Sequence, residues 1–284
     1  MPLDQFVEEK PEVKRTDEMN FWEHLEELRK RIMRSLIAMT VGVIAVFAMG
    51  ESFFKLIIYA PIKEDFVTYK FMANLGEKIG QKDLLPVPKL SLFTQELGEV
   101  FFKQMQVSMI VGLLLATPFI FWQVWLFIKP GLMDAEVKAS RGFVTVCSTL
   151  FILGVLFGYF VITPFAVSFL ANYTMAGVGG SATLDSYVGY LTMFTLPIGL
   201  VFELPIIIYF LSKLGIVTPT LLKKYRKHIG IILLIVAGII TPSPDIVSQL
   251  LVGVPLYLLF EIGIVVSSRV YKQKMKQREE NERN

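Results

Sequence analysis

Hydrophobic residues in this chain come in long blocks rather than in alternation, and the blocks define its elements. Charge-free runs cover residues 35–50, 104–128, 142–184, 186–202 with 204–212, 229–241 and 246–260. A helix needs roughly 20 residues to cross the hydrocarbon core of a bilayer. The runs therefore predict an all-α polytopic membrane protein with six transmembrane helices, at about 34–54, 104–128, 143–165, 187–211, 229–241 and 246–268. The run 142–184 is too long for one crossing, so its second part, with the glycines at 177–180, is expected in an outer loop. The run 229–241 spans only about 20 Å at 1.5 Å per residue, which calls for a locally thinned bilayer or shielding partners.

The intervening segments are polar or mixed. Residues 1–19 read as a disordered polar tail, with no basic and apolar succession of a cleavable signal peptide. From residue 20, Phe21, Leu25, Leu28 and Ile32 recur at helical spacing with charged residues between them, predicting an amphipathic helix that runs into the first span as far as Phe54. Residues 55–103 form a long outer loop interrupted by Pro61, Gly76, Gly80, Pro86 and Pro88, which is expected to pack as a cap on one face. Its end, 93–107, reads as an amphipathic helix leading into the second span, where Trp122 and Trp125 suit an interfacial belt. Residues 213–228 read as a basic connector, and 269–284 as a solvated tail.

Within the fourth apolar block stands one carboxylate, Glu203, followed two positions later by Pro205. An ionisable group at bilayer depth costs about 2.5–3.5 kcal/mol on insertion scales, so Glu203 is expected to face other helices or a wet cavity. Proline removes a backbone hydrogen bond and favours a kink there. Two readings stay open for Glu203: a polar bond that locks a bundle, and a direct working role.

Charge placement sets the orientation. Arg29, Lys30, Arg31 and Arg34, then Lys129, Lys138 and Arg141, then the basic residues of 213–227 and of 269–276 all fall on one side. The short loops on the other side, 166–187 and 242–245, contain no lysine or arginine. The positive-inside rule then predicts six spans with N and C termini in the cytoplasm.

Composition adds exclusions. The chain has 284 residues with a net charge of +3, too small for an electrostatic footprint on nucleic acid, and no such partner is expected. The single cysteine, Cys147, rules out a disulfide within the chain and reads as a small buried hydrophobe. The segment Gly76-Glu77-Lys78-Ile79-Gly80-Gln81-Lys82 has the wrong spacing for a phosphate-binding loop. His24 and His228 are the only histidines, so a histidine metal site is not expected. No cofactor and no enzymatic activity are expected. What remains are acidic groups, Glu26 and Glu27 before the first span, Glu136 in the next loop on the same face, and Glu203 at depth. Each of Glu26, Glu27 and Glu136 has an ordinary reading as a solvated charge. Two carboxylates on one membrane face, however, suit guanidinium ligands, because arginine–carboxylate pairing is strong and geometrically selective.

Several strings carry a family resemblance. Phe21-Trp22-Glu23-His24-Leu25-Glu26-Glu27-Leu28-Arg29-Lys30-Arg31 resembles the His-Leu-x-Glu-Leu-Arg-x-Arg signature of the TatC subunit of the twin-arginine protein translocase. So do Gln123-Val124-Trp125-Leu126-Phe127-Ile128-Lys129-Pro130-Gly131-Leu132 with Glu136, Phe202-Glu203-Leu204-Pro205, Thr241-Pro242-Ser243-Pro244-Asp245 with Ser248-Gln249, and Leu259-Phe260-Glu261-Ile262-Gly263. The strings follow the family's order from Phe21 to Arg269, and only residues 70–85 look like an insertion.

The resemblance implies a receptor for folded precursor proteins that carry an Arg-Arg signal peptide, set in the bacterial cytoplasmic (inner) membrane and driven by the proton-motive force. Carried over, Glu27 and Glu136 receive the arginine pair, with His24, Arg29 and Phe127 nearby. The family's concave bundle places Glu203 in its hollow, and Gln249 in a polar patch that docks single-span TatA and TatB partners. Self-association in a receptor complex and contact with membrane lipids are further implications. The competing reading from the residues alone is a proton- or ion-coupled small-solute transporter with Glu203 as its titrating site. That reading wants further ionisable groups at depth or two halves related by symmetry, and the sequence offers neither clearly.

Overall fold

Where no water is available, every backbone polar group must be satisfied within its own segment, and this chain does so almost wholly as helix. A computed structural model describes residues 21–80, 84–88, 90–131, 142–173, 181–241 and 246–283. Helix α1 spans Phe21–Ala48 and joins the amphipathic start to the first apolar run. It does not reach Phe54 as expected. Gly50, at φ 64°, turns the chain, and a separate α2 covers Gly50–Ile58. Helix α3, Val67–Ile79, occupies part of the stretch that looks inserted.

The amphipathic helix expected from residue 93 is also displaced. Leu92–Phe93 is instead a short strand, β1, paired in parallel with β2, Ala182–Thr183. Helix α4 starts only at Glu99 and runs to Ile128. The cause is local: the Glu99 carboxylate accepts backbone N–H groups of Gln95 (2.7 Å), Glu96 (3.2 Å) and Asp185 (2.9 Å), which holds the preceding residues in a non-helical turn.

Helix α5, Phe143–Phe157, passes through a wider π-helical turn at Gly158–Ile162 into α6, Thr163–Asn172. Helix α7, Leu184–Val201, begins ahead of the expected Tyr187, because the Thr183 hydroxyl accepts the Ser186 N–H and caps it. After a break at Phe202 and Glu203 comes α8, Leu204–Lys213. Helix α9, Pro219–Ile240, absorbs much of the expected basic connector. Thr218 caps it and Pro219 supplies a first helical residue with no N–H to lose. Helix α10 runs over Ile246–Arg283, far past the last apolar run.

Among the described residues five helical segments are long and apolar enough to cross a membrane: Trp22–Ala48, Glu99–Ile128, Phe143–Asn172, Leu184–Lys213 and Gln249–Lys276. The fold is a polytopic helical membrane protein. The apolar part of α9 is shorter, because its first turns carry Lys223, Lys224, Arg226 and Lys227.

Two packing features place the site. Helices α1 and α4 touch backbone to backbone where Gly42 meets Gly112, and a Cβ on Gly112 would lie 2.6 Å from the Val43 nitrogen. At the other end, side chains of the helices are tied to the segment between α1 and α4. Tyr187 and Tyr159 donate to the Ile58 and Ile57 carbonyls at 2.8 Å each, and Thr68 donates to the Phe160 carbonyl in the π turn. A buried core of Phe194, Ile198, Leu233, Ala237, Val252 and Leu256 joins α7, α9 and α10.

Candidate functional site

On α1, His24, Glu27 and Arg31 fall at helical spacing on one face, and on α4 Gln123 and Phe127 do the same. The two helices bring these faces together. The His24 ring stacks on Phe127 with centroids 4.4 Å apart. One helical step along, Arg31 Nη2 donates to Glu27 Oε1 at 2.7 Å and Nη1 donates to Gln123 Oε1 at 3.3 Å. Gln123 is buried, so this polar ladder ties α1 to the interior of α4.

Glu27 is only partly exposed, and the two oxygens of its carboxylate differ. Oε1 is shared with Arg31, while Oε2 is buried and has no hydrogen-bond partner among the described residues. A buried carboxylate oxygen without a donor is costly, so it is a standing acceptor for an incoming N–H group. Glu26, by contrast, forms an exposed pair with Lys30. Arg29 is exposed. Next to the ladder lies an open groove of about 230 Å³, whose walls include Leu28, Ile32, Val124 and Phe127.

Glu136 falls within 132–141 and lies outside the described residues, as do Pro242–Asp245, the glycines at 177–180 and the tail at 1–19. Sequence reasoning did not single out Arg31 or Gln123. Gln123 stands one turn from Phe127, and a lone amide in an otherwise apolar stretch was the available signal.

At depth, Glu203 is 7% exposed and sits in the break between α7 and α8, against Cys147 and Phe151 of α5. Its Oε1 has no hydrogen-bond partner among the described residues. The break follows from Pro205, which cannot donate to the Val201 carbonyl. The chain there closes with shorter bonds, such as Glu203 N to the Leu200 carbonyl at 3.1 Å. Gln249 donates from Nε2 to the Leu234 carbonyl of α9 at 2.9 Å. Trp125, expected beside Trp122 in an interfacial belt, packs between Phe143 (5.0 Å) and Phe210 (6.4 Å), while Trp122 is exposed.

Apolar helices with carboxylates held between them, one at a helix–helix seam and one at a helix break, define a multi-pass helical membrane protein with built polar sites. Residues 23–255 match the family described as Sec-independent protein translocase protein (TatC). The chain belongs to the TatC family. It is 37% identical over 262 residues to a Sec-independent protein translocase protein TatC of Blattabacterium, covering 91% of this chain and 98% of the relative. It is 32% identical to TatCy of Bacillus subtilis, over 92% of this chain and 94% of that protein. Two crystal structures of a twin arginine translocase receptor, TatC, superpose with TM-scores of 0.65 and 0.66 at 30% and 31% identity. They cover 88% and 86% of this chain and 100% and 99% of those chains.

Proposed function

We propose that this chain is the receptor subunit of a twin-arginine translocase, binding Arg-Arg signal peptides of folded precursors at the face that carries Glu27. The observation that carries the proposal is the unequal state of the two Glu27 oxygens. One is held by Arg31, and the other is buried and partnerless among the described residues, an unmet acceptor that a guanidinium reaches once the side chains over it move aside. His24 and Phe127 supply a flat stacked wall beside it, which suits the planar face of an arginine. The apolar groove next to the ladder suits the hydrophobic stretch that follows the charged start of a leader. Glu136 is the second carboxylate of the pair, and exposed Arg29 limits where a cationic peptide can lie.

On this reading the protein sits in the bacterial cytoplasmic membrane, with six spans and both termini in the cytoplasm. The charge bias of its loops supports that orientation. Single-span TatA- and TatB-type subunits dock where Glu203 and Gln249 offer polar groups within apolar helices, and the proton-motive force drives export.

The direct test is binding of an Arg-Arg signal peptide and its Lys-Lys counterpart to the purified protein. A guanidinium makes a bidentate pair that an ammonium cannot, and the expected preference for Arg-Arg is about tenfold or more. Equal binding of the two peptides would reject the receptor assignment.

Glu203 acts after binding on this reading, so Glu203→Gln is expected to leave peptide affinity within about twofold, under half a kcal/mol. It should also lower export of a folded passenger into inverted vesicles. Undiminished export by the glutamine variant would show that a carboxyl group is not needed at the break.

A further inference from the structure

Where the charged first turns of α9 face the middle of α10 lies a cavity of about 410 Å³ that is separate from the Glu27 ladder. Lys223 and Arg226 line it from α9, and Arg269 and Lys272 from α10. Glu261 is the one carboxylate in the lining, and it is already engaged: Arg226 donates from Nε to Glu261 and to the Tyr257 hydroxyl. That pair fixes the guanidinium with its terminal nitrogens unbonded among the described residues. Lys223 and Lys272 have no ion-pair partner among the described residues. Four cations therefore surround a space in which one carboxylate is neutralised, and the surplus calls for an anion.

The position selects which anion. The cavity lies where the apolar runs of both helices give way to charged turns, and on the six-span reading that boundary falls at the level of lipid phosphates. Its floor is apolar, with Ile264 buried and Val265 exposed. From that floor an exposed apolar row, Val265, Ile262 and Leu258, continues along α10 toward the middle of the span. A free phosphate would use only the mouth of this site. A phospholipid would use both parts, with its phosphate among the cations and an acyl chain along the row. Basic pockets between transmembrane helices are built for headgroups in this way.

We infer that the α9–α10 cavity is a binding site for an anionic phospholipid, held through its phosphate by Lys223, Arg226, Arg269 and Lys272. The site is independent of peptide recognition.

The test is native mass spectrometry of the full chain, released from micelles containing phosphatidylglycerol and phosphatidylcholine of matched acyl chains. Wild type should retain phosphatidylglycerol with about tenfold preference, since phosphatidylcholine cancels its phosphate charge with a choline cation that the cluster repels. The double variant Lys223→Gln/Lys272→Gln should lower retained phosphatidylglycerol about tenfold, two exposed lysines near a surface being ample for that change. The double variant Lys224→Gln/Lys276→Gln removes equal charge from the same helices outside the cavity, and should leave retention as in wild type. Equal losses in the two double variants, or no preference between the lipids, would overturn the assignment. Displacement of the lipid by millimolar inorganic phosphate would also overturn it, because the site would then read a free anion.

Discussion

Gly158→Ala is expected to destabilise the protein by about 3 kcal/mol, the upper end of the usual cost of overfilling a packed interior. Helix propensity alone argues the opposite sign, since alanine is favoured over glycine by about 1 kcal/mol. Packing overrides it here. A Cβ at Gly158 would stand 2.2 Å from the Phe194 carbonyl oxygen and 2.9 Å from the Thr195 Cα. Both are backbone atoms of α7 and cannot rotate away. Moving α7 would disturb Phe194 and Ile198, which are fully buried. The π turn at Gly158–Ile162 would then lose the register in which Thr68 reaches the Phe160 carbonyl. Thermal unfolding of the detergent-purified variant checks this, with Gly189→Ala as its control, because a Cβ at Gly189 meets nothing within 4 Å. Equal unfolding midpoints for Gly158→Ala and wild type would mean that the π turn and α7 are not in the contact described.

Glu27→Ala is expected to weaken Arg-Arg peptide binding by about 10- to 100-fold, the range that follows from losing a hydrogen-bonded charge partner worth about 1.5–3 kcal/mol. The Lys-Lys peptide should lose less, so the preference between the two collapses. Two effects add. The carboxylate that accepts the guanidinium is gone, and Arg31, released from its 2.7 Å bond, becomes a repelling cation at the same place. Arg31 remains tethered to Gln123, so α1 and α4 stay joined and the variant should fold. Glu27→Gln separates the effects: it keeps the side-chain volume and an acceptor oxygen while removing the charge. An Arg-Arg preference that survives in both variants would place recognition elsewhere.

Much of the architecture was legible because lipid imposes simple rules. Charge-free runs of sufficient length mark helices whatever they pack against, and five such segments are present among the described residues. Glu203 and Pro205 announced a polar break in an apolar block, and the break lies between Val201 and Leu204. Helix ends were less legible. The start of α4 depends on Glu99 accepting N–H groups from three residues, one of them Asp185 far along the chain. No local pattern contains that partner. The basic stretch before residue 229 looked like a connector because its charges masked the cap at Thr218.

By itself the sequence determined that this is a multi-pass helical membrane protein of the TatC family, with one carboxylate, Glu203, inside an apolar block. Hydropathy is a property of a run of residues measured against lipid, and a motif is a property of order, so neither needs a partner. Only the tertiary structure decided which oxygen of Glu27 is occupied, that Gln123 anchors Arg31, and that basic residues of α9 and α10 enclose a cavity. Those facts depend on how helices rotate and cross, and the crossing of α1 on α4 is set where Gly42 and Gly112 let two backbones touch. A helix carries its own hydrogen bonds, but its neighbours choose which of its faces meet.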